Sequence, residues 1–339
     1  MVVWPAAVAL MEEEEEEEEE EGGAVMVDVL HGCINDVLAM RDMLVKRFGF
    51  NPKNIELLTD EPGSSSPMPT GSNIKQALAS MIDQAETGDV LYFHYSGHGT
   101  RFPSEKLGHP YHPYRYEEAI VPCDLVCLTF LLNILFGLHF RQLVNKLPKG
   151  TSLTILSDSC YSGGLIDKEK EQTGPSSLVH KNNSSLKLTN TPKTIPFESI
   201  LQHLSSLTNI DTTNIGTHLL EFFGFEASSR FQLPSRDLDL LNLNQPLRHD
   251  ERILLSGCQA DETSADIKLN ASGGKAYGAF SNAVQMVLKE NPGQLSNREV
   301  VMKARNLLQT QGIVQHPCLY CSDENANVAF LRQHQNSDL

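Results

Sequence analysis

Hydrophobic residues recur every three or four positions in several segments of the chain, which is the pattern of helices with one buried face. In residues 34–48 the apolar stripe stops at Gly49, a residue type that commonly follows a helix end. In residues 73–84 the stripe begins after Ser72, a residue type that caps helix N-termini. The same spacing predicts two further helices, at residues 276–289 and 296–308.

Short, continuous apolar runs alternate with these helices and have the length of buried strands. They are residues 55–58, 90–95, 153–156, 253–255 and 317–320. Strands that are joined by helices usually run parallel and are covered on both faces, which suits runs without polar alternation. The sequence therefore predicts an α/β fold with a mainly parallel central sheet.

Negative charge is concentrated near the N-terminus, where Glu12 to Glu21 form an unbroken run. The run repels itself and has no apolar face, so we expect residues 1–23 to be an acidic, disordered tail. Without these ten residues the net charge of −16 falls to −6. A balance of that size gives no indication of binding to nucleic acid or to an anionic membrane.

Two apolar segments need to be distinguished from targeting or membrane signals. Residues 1–10 lack the basic start of a signal peptide, and the 16-residue apolar run at 125–140 is shorter than the ~20 residues of a spanning helix. The seven cysteines are too scattered for a disulfide scaffold and indicate a reducing compartment. We therefore expect a cytoplasmic protein with neither a membrane nor a nucleic-acid partner.

Two predicted strands end in small and polar residues that carry a histidine and a cysteine. His98 lies between two glycines after the strand at 90–95, and Cys160 follows the strand at 153–156. Because the carboxyl ends of parallel strands meet at one edge of the sheet, we expect both side chains there. An imidazole that accepts a thiol proton creates a nucleophile. The alternative is a satisfied core histidine and a buried, inert cysteine.

Six short motifs are spread over the chain around these two residues. They are His31-Gly-Cys-Ile-Asn-Asp36, His94-Tyr-Ser-Gly-His-Gly-Thr-Arg101, Glu118-Ala-Ile-Val-Pro-Cys-Asp124, Ser157-Asp-Ser-Cys-Tyr-Ser-Gly-Gly-Leu-Ile-Asp167, Leu255-Ser-Gly-Cys-Gln-Ala-Asp-Glu-Thr-Ser-Ala265 and Lys275-Ala-Tyr-Gly-Ala-Phe-Ser281. With them the chain resembles the type II metacaspases of plants, which are caspase-like cysteine peptidases. The resemblance covers about residues 31–124 and 141–332.

The resemblance implies a caspase-like α/β/α sandwich and a division of labour along the chain. Residues 24–166 would form a large-subunit-like part that carries the catalytic dyad, residues 167–250 a linker or insertion, and residues 251–339 a small-subunit-like part. In this scheme Cys160 attacks the scissile carbonyl and His98 serves as acid and base. The backbone N–H groups of Gly99 and Cys160 would form the oxyanion hole.

Members of this family cut protein and peptide substrates after arginine or lysine, and the resemblance assigns a pocket for that side chain. Asp36 and Asp158 would bind the cation through charge-assisted hydrogen bonds, with Cys33 and Ser96 completing the pocket. The alternative for Asp36 is a first-turn acid that stabilises a helix, and for Asp158 a turn residue. Self-processing would cut the linker, where we expect five lysines to be exposed: Lys168, Lys170, Lys181, Lys187 and Lys193.

Three features concern a cofactor and the integrity of the fold. The chemistry requires no cofactor, but the resemblance makes calcium a candidate, with Asp167 and Glu117 as candidate ligands. The acids expected after Asp124 are replaced by the apolar run at 125–140. Only residues 24–30 stand where the family has its first strand, so the alternative function is a catalytically impaired, caspase-like interaction protein.

Overall fold

The fold is described from a computed structural model of the full chain. The description covers residues 4–5, 28–103, 116–124, 135–136, 146–163, 165, 170–174, 188–213, 217–218, 221, 252–259, 262–269 and 275–332. The strands are β1 (Trp4–Pro5), β2 (Val90–Ser96), β3 (Gly99–Pro103), β4 (Tyr116–Ile120), β5 (Leu135–Phe136), β6 (Ser152–Asp158), β7 (Leu188–Pro192), β8 (Arg252–Ser256), β9 (Ala265–Leu269), β10 (Tyr277–Gly278) and β11 (Cys318–Tyr320). The helices are α1 (Cys33–Phe48), α2 (Gly71–Asp83), α3 (Phe197–Thr208), α4 (Ala279–Glu290), α5 (Asn297–Thr310) and α6 (Asp323–Asn327).

The central sheet has five strands in the order β1-β2-β6-β8-β11. The first four strands are parallel and β11 is antiparallel to β8. Strands β2 and β6 pair along their whole length, from Val90 with Ser152 to Ser96 with Asp158. Their carboxyl ends therefore lie side by side at one edge, as the sequence predicts.

The two faces of this sheet are buried in separate hydrophobic clusters. On β2, Tyr92 packs in the cluster that also contains residues of α1, α4 and α5, while Phe93 packs in the cluster of α2. Successive side chains of a strand point to opposite faces, so the alternation places helices on both sides of the sheet. This three-layer arrangement confirms the predicted α/β/α sandwich.

Two smaller sheets stand at the carboxyl edge of the central sheet. One consists of β3, β4 and β5, and the other of β10, β9 and β7, all paired antiparallel. Strand β7 belongs to the predicted linker, yet it pairs with β9 from Leu188 opposite Leu269 to Pro192 opposite Ala265. The linker therefore enters the region where the candidate catalytic residues lie.

Several local predictions differ from the structure. The strand predicted at residues 55–58 is reduced to isolated bridges, because Leu58 is buried by packing against α2 rather than by strand pairing. Helix α2 is capped by Thr70, whose hydroxyl accepts from the N–H of Asn73 at 3.2 Å, and not by Ser72. Helix α4 begins at Ala279 because Tyr277 and Gly278 are held in β10.

The N-terminus departs from the expected tail at two residues. Trp4 and Pro5 form β1 and pair in parallel with Phe93 and His94 at the edge of β2. They occupy the edge for which the sequence offered only residues 24–30. A strand edge left open would carry unpaired backbone groups, which explains why an apolar segment pairs there. Most of the predicted tail, including the glutamate run, lies outside the described residues.

Candidate active site

His98 and Cys160 lie in adjacent loops at the carboxyl ends of β2 and β6. Both are buried, at 1% and 0% exposure. The two loops touch at Gly99, where a Cβ atom would overlap the carbonyl oxygen of Cys160. Glycine is needed at this position because only a hydrogen fits between the loops. The structure thus places the two predicted residues in touching loops at one edge of the sheet.

The imidazole of His98 is held by one nitrogen. Its Nε2–H donates to the backbone carbonyl of Asp28 at 2.8 Å, since a carbonyl can only accept. Its Nδ1 is buried and has no hydrogen-bond partner among the described residues. Burial lowers the pKa of His98 to about 4. The ring is therefore neutral at physiological pH, with Nδ1 as the nitrogen that accepts a proton.

The sulfur of Cys160 lies against Ser264, the residue directly before β9. The backbone N–H of Ser264 donates to Sγ at 3.1 Å, and Sγ lies 3.6 Å from the carbonyl oxygen of Ser264. Burial raises the pKa of the Cys160 thiol to about 12, although the contact with Ser264 lowers it. With this pKa the thiol of Cys160 is neutral at physiological pH, as is the imidazole of His98.

Two buried carboxylates lie next to this pair and are each fixed by several donors. The carboxylate of Asp36, in the first turn of α1, accepts from Ser96 Oγ at 2.7 Å and from the N–H of Gly278 at 2.9 and 3.0 Å. The carboxylate of Asp158 accepts from Ser264 Oγ at 2.5 Å and from the N–H of Ser281 at 2.7 Å. We call the space between Asp36, Ser96 and Asp158 the acidic pocket.

The acidic pocket is filled by the side chain of Lys193, which is 0% exposed. Its Nζ donates to Ser96 Oγ at 2.8 Å and to the carbonyl of Asp158 at 3.1 Å. The same atom lies 3.7 Å from a carboxylate oxygen of Asp36 and 3.5 Å from one of Asp158. Burial opposes the charge of Lys193, but the attraction of Asp158 and Asp36 outweighs it and raises the pKa. The predicted exposure of Lys193 is therefore wrong.

The backbone of Lys193 is fixed as firmly as its side chain. Its carbonyl oxygen accepts from the N–H of Gly99 at 3.0 Å and from the N–H of Cys160 at 3.3 Å. These are the two groups that the family resemblance assigns to an oxyanion hole. The N–H of Lys193 donates to the carbonyl of Ser264 at 2.9 Å. The carbonyl of Lys193 thus lies beside the candidate nucleophile.

The chain on either side of Lys193 is bound along the same cleft. On the N-terminal side, β7 continues the antiparallel ladder with β9. On the C-terminal side, the N–H of Ile195 donates to the carbonyl of Gly99 at 3.1 Å, and Thr100 Oγ1 donates to the carbonyl of Ile195 at 2.8 Å. The segment therefore passes through the site as an extended strand held at both ends.

The remaining predicted site residues have different outcomes. Cys33 is buried at the start of α1. Burial raises the pKa of its thiol, and the nearby charge of Lys193 offsets only part of this rise. Glu117 lies on β4 opposite Phe102. Asp167 lies outside the described residues. The described part of the chain holds no group of three or more potential metal ligands.

Sequence reasoning missed several residues that build this site. They are Lys193 as the occupant of the pocket, and Ser264, Gly278 and Ser281 as donors or walls. The last three lie inside two of the six motifs, at Leu255 to Ala265 and Lys275 to Ser281, to which the residues alone assign no role. Their presence in those motifs was the available signal.

Comparison with known proteins agrees with this geometry. A family profile described as the caspase domain matches residues 25–328. The chain therefore belongs to the caspase-domain cysteine peptidases, which act on proteins. Among the described residues, no helix is both long and apolar enough to cross a bilayer.

Individual relatives place the chain more closely. It is 56% identical to Metacaspase-9 of Arabidopsis thaliana over 90% of this chain and 92% of that protein. It is 36% identical to Metacaspase-6 of the same plant over 89% of this chain and 95% of that protein. A crystal structure of a Geobacter sulfurreducens protein aligns over 97% of both chains with a TM-score of 0.56 and 16% identity, which supports the fold alone. The predicted metacaspase resemblance is confirmed.

Proposed function

We propose that this metacaspase hydrolyses peptide bonds after lysine or arginine, and that its first substrate is its own bond between Lys193 and Thr194. One observation carries the proposal: Lys193 places its ammonium in the acidic pocket while its carbonyl oxygen accepts from the N–H groups of Gly99 and Cys160. A substrate bound for cleavage needs both contacts at once.

The choice of a cationic side chain follows from the charge of the pocket. Asp36 and Asp158 are fully buried, and a buried carboxylate without a cation is costly. A lysine or arginine offsets both charges and supplies the donors that the carboxylates and Ser96 accept. A neutral side chain would leave the carboxylates unpaired. We therefore expect substrates to carry lysine or arginine on the N-terminal side of the cut.

In the first half of the reaction, Cys160 Sγ attacks the carbonyl carbon of Lys193 and the thiol proton passes to His98 Nδ1. The electron pair of the carbonyl moves to its oxygen, where the N–H groups of Gly99 and Cys160 stabilise the negative charge. As the C–N bond breaks, the imidazolium gives its proton to the nitrogen of Thr194. The products are a thioester on Cys160 and a new amino terminus.

In the second half, a water molecule attacks the thioester while His98 Nδ1 takes its proton. The carbonyl oxygen of the thioester again accepts hydrogen bonds from the N–H groups of Gly99 and Cys160. The C–S bond then breaks to release the carboxylate of Lys193. The proton on His98 then returns to the sulfur. The contact of Nε2–H with the carbonyl of Asp28 keeps the ring in the tautomer that these transfers require.

The proposal is tested by following self-cleavage of the purified full chain. Intact protein should be cut to give a fragment that begins at Thr194, identified by mass spectrometry. Cys160→Ala should remain intact. Lys193→Arg should still be cut, whereas Lys193→Gln should not be cut at this position, because glutamine brings no positive charge to the pocket.

Another lysine near the linker provides the matched control. The side chain of Lys170 is exposed and forms an ion pair with Asp323 at 2.7 Å. Lys170→Gln should be cut after Lys193 as the parent is. Cutting of the Cys160→Ala chain, or an unchanged rate in Lys193→Gln, would exclude the proposed self-processing.

Activity on other substrates is a separate measurement. Self-processed protein should cleave reporter peptides that end in arginine or lysine between pH 5 and 8, measured with and without calcium. Peptides that end in glutamine or aspartate should not be cut. If arginine and lysine reporters remain intact under all these conditions, and the Cys160→Ala chain behaves identically, the proposed activity is wrong.

A further inference from the structure

Gly278 forms the wall of the acidic pocket that faces the tip of the bound lysine. It is the last residue of β10 and caps α4, and its N–H donates to both carboxylate oxygens of Asp36. A Cβ atom built on Gly278 would overlap three atoms at once: Nζ of Lys193 and one carboxylate oxygen each of Asp36 and Asp158. The volume that a side chain would fill is thus the space in which the cation meets both acids.

The backbone at this position does not itself require glycine. The φ and ψ angles of Gly278 are −69° and 132°, an extended conformation that any residue adopts. Nor can the overlapping atoms move aside easily. The carboxylate of Asp36 is fixed by Ser96 Oγ and that of Asp158 by the N–H of Ser281. The need for glycine here is therefore a need for space.

We propose that Gly278 is a specificity-determining residue that sets how long a cationic side chain the pocket accepts. The inference rests on the proposed function and adds to it that the pocket selects substrates by the length of their cationic side chain. A methyl group at position 278 would shorten the pocket by about one methylene. Lysine and arginine would then bind less well, and a shorter cation such as ornithine would be accepted in preference.

The first test uses the chain's own lysine as the ligand and does not depend on catalysis. Melting temperatures are compared for Gly278→Ala, Lys193→Ala and the double variant, all in a Cys160→Ala chain that cannot cut itself. With glycine at 278, Lys193→Ala should lower the melting temperature by about 3 °C or more, because two buried carboxylates lose their cation. With alanine at 278, the same change should leave the melting temperature unchanged or raise it.

A matched glycine controls for the general effect of adding a methyl group. A Cβ atom on Gly293 would have no other atom within 4 Å, and the φ angle of this residue does not lie in the left-handed region. Gly293→Ala should leave the effect of Lys193→Ala intact. An equal loss from Lys193→Ala with either residue at 278 would overturn the proposal. Failure of Gly278→Ala to fold with either residue at 193 would show a purely structural role and would also overturn it.

The second test compares reporter peptides that end in lysine and in ornithine, using for each protein the fraction that has been cut after residue 193. Gly278→Ala is incubated for longer to obtain this fraction, because its own Lys193 should be cut slowly. The parent and Gly293→Ala should prefer lysine. In Gly278→Ala the ratio of kcat/KM for lysine to that for ornithine should fall at least about tenfold, the effect of ~1.4 kcal/mol. An equal fall for both peptides would contradict the proposal. If the parent cuts neither peptide, the proposed function fails, while the melting experiment still tests the pocket.

Discussion

Lowering the pH should destabilise the uncut chain through His98. Burial lowers the pKa of this imidazole to about 4 from an ordinary value of 6.5. Between these two values the unfolded chain binds a proton that the folded chain does not bind. The free energy of unfolding therefore rises with pH across this window. The part that depends on His98 reaches its full value above pH 6.5 and decreases as the pH falls towards 4.

The magnitude follows from the same two pKa values. A difference of about 2.5 between folded and unfolded states corresponds to roughly 3 kcal/mol, of which about 2 kcal/mol is lost between pH 7 and pH 5. The pKa of His94 is lowered to about 3 by burial and contributes with the same sign. Burial raises the pKa values of Asp36 and Asp266, which contribute with the opposite sign. The contribution of His98 must therefore be isolated as a difference between two variants.

The assay is urea unfolding of Cys160→Ala at pH 7 and pH 5, repeated with Cys160→Ala combined with His98→Asn. Asparagine cannot take up a proton in this range, so the combined variant should lose about 2 kcal/mol less than the Cys160→Ala chain between the two pH values. Equal losses in the two proteins would refute the reasoning, because they would mean that His98 is protonated as readily in the folded chain as in the unfolded one.

Three further substitutions test single contacts. Ser96→Ala removes the hydroxyl that accepts from the pocket ammonium and donates to Asp36, and should lower kcat/KM for lysine reporters about tenfold. An unchanged value would show that Ser96 does not contribute to substrate binding. Ser264→Ala leaves one oxygen of Asp158 without its donor and should lower the urea unfolding free energy by about 1–2 kcal/mol; no loss would mean that solvent replaces the hydroxyl. Arg305→Lys should cost about 1–3 kcal/mol in the same assay, because lysine cannot reproduce the two contacts of the guanidinium with the carbonyl of Pro317; a neutral result would show those contacts to be dispensable.

The helices and strands with a regular apolar pattern were predictable because that pattern is local in the sequence. The apolar stripes of α1, α2, α4 and α5 and the runs of β2, β6, β8 and β11 lie close to the predicted positions. Strand β9 alternates apolar and polar residues over only five positions, and its partner β7 has no apolar run. Their pairing joins segments far apart in the chain, so it depends on the assembled fold rather than on the residues of either strand. The same limit applies to β1, whose two residues precede a long acidic run.

The candidate site was predictable only where residues and motif agreed. His98 and Cys160 follow strand ends, and Asp36 and Asp158 lie in motifs of the family. The structure places the first two in touching loops and the two acids against the same lysine. Lys193 could not be singled out. It lies in a polar segment with other lysines, and its burial is caused by acids that come from β6 and α1. Nothing within the segment itself indicates that burial.

A chain that lies across its own cleft carries enzyme and substrate in a fixed ratio of one to one. Because β7 and the segment after Lys193 are already bound on both sides of the site, no diffusional encounter would precede the proposed first cut. The half-time of that event should consequently be the same in dilute and in concentrated solution. Self-cleavage would then be a first-order process whose rate does not depend on the number of copies present.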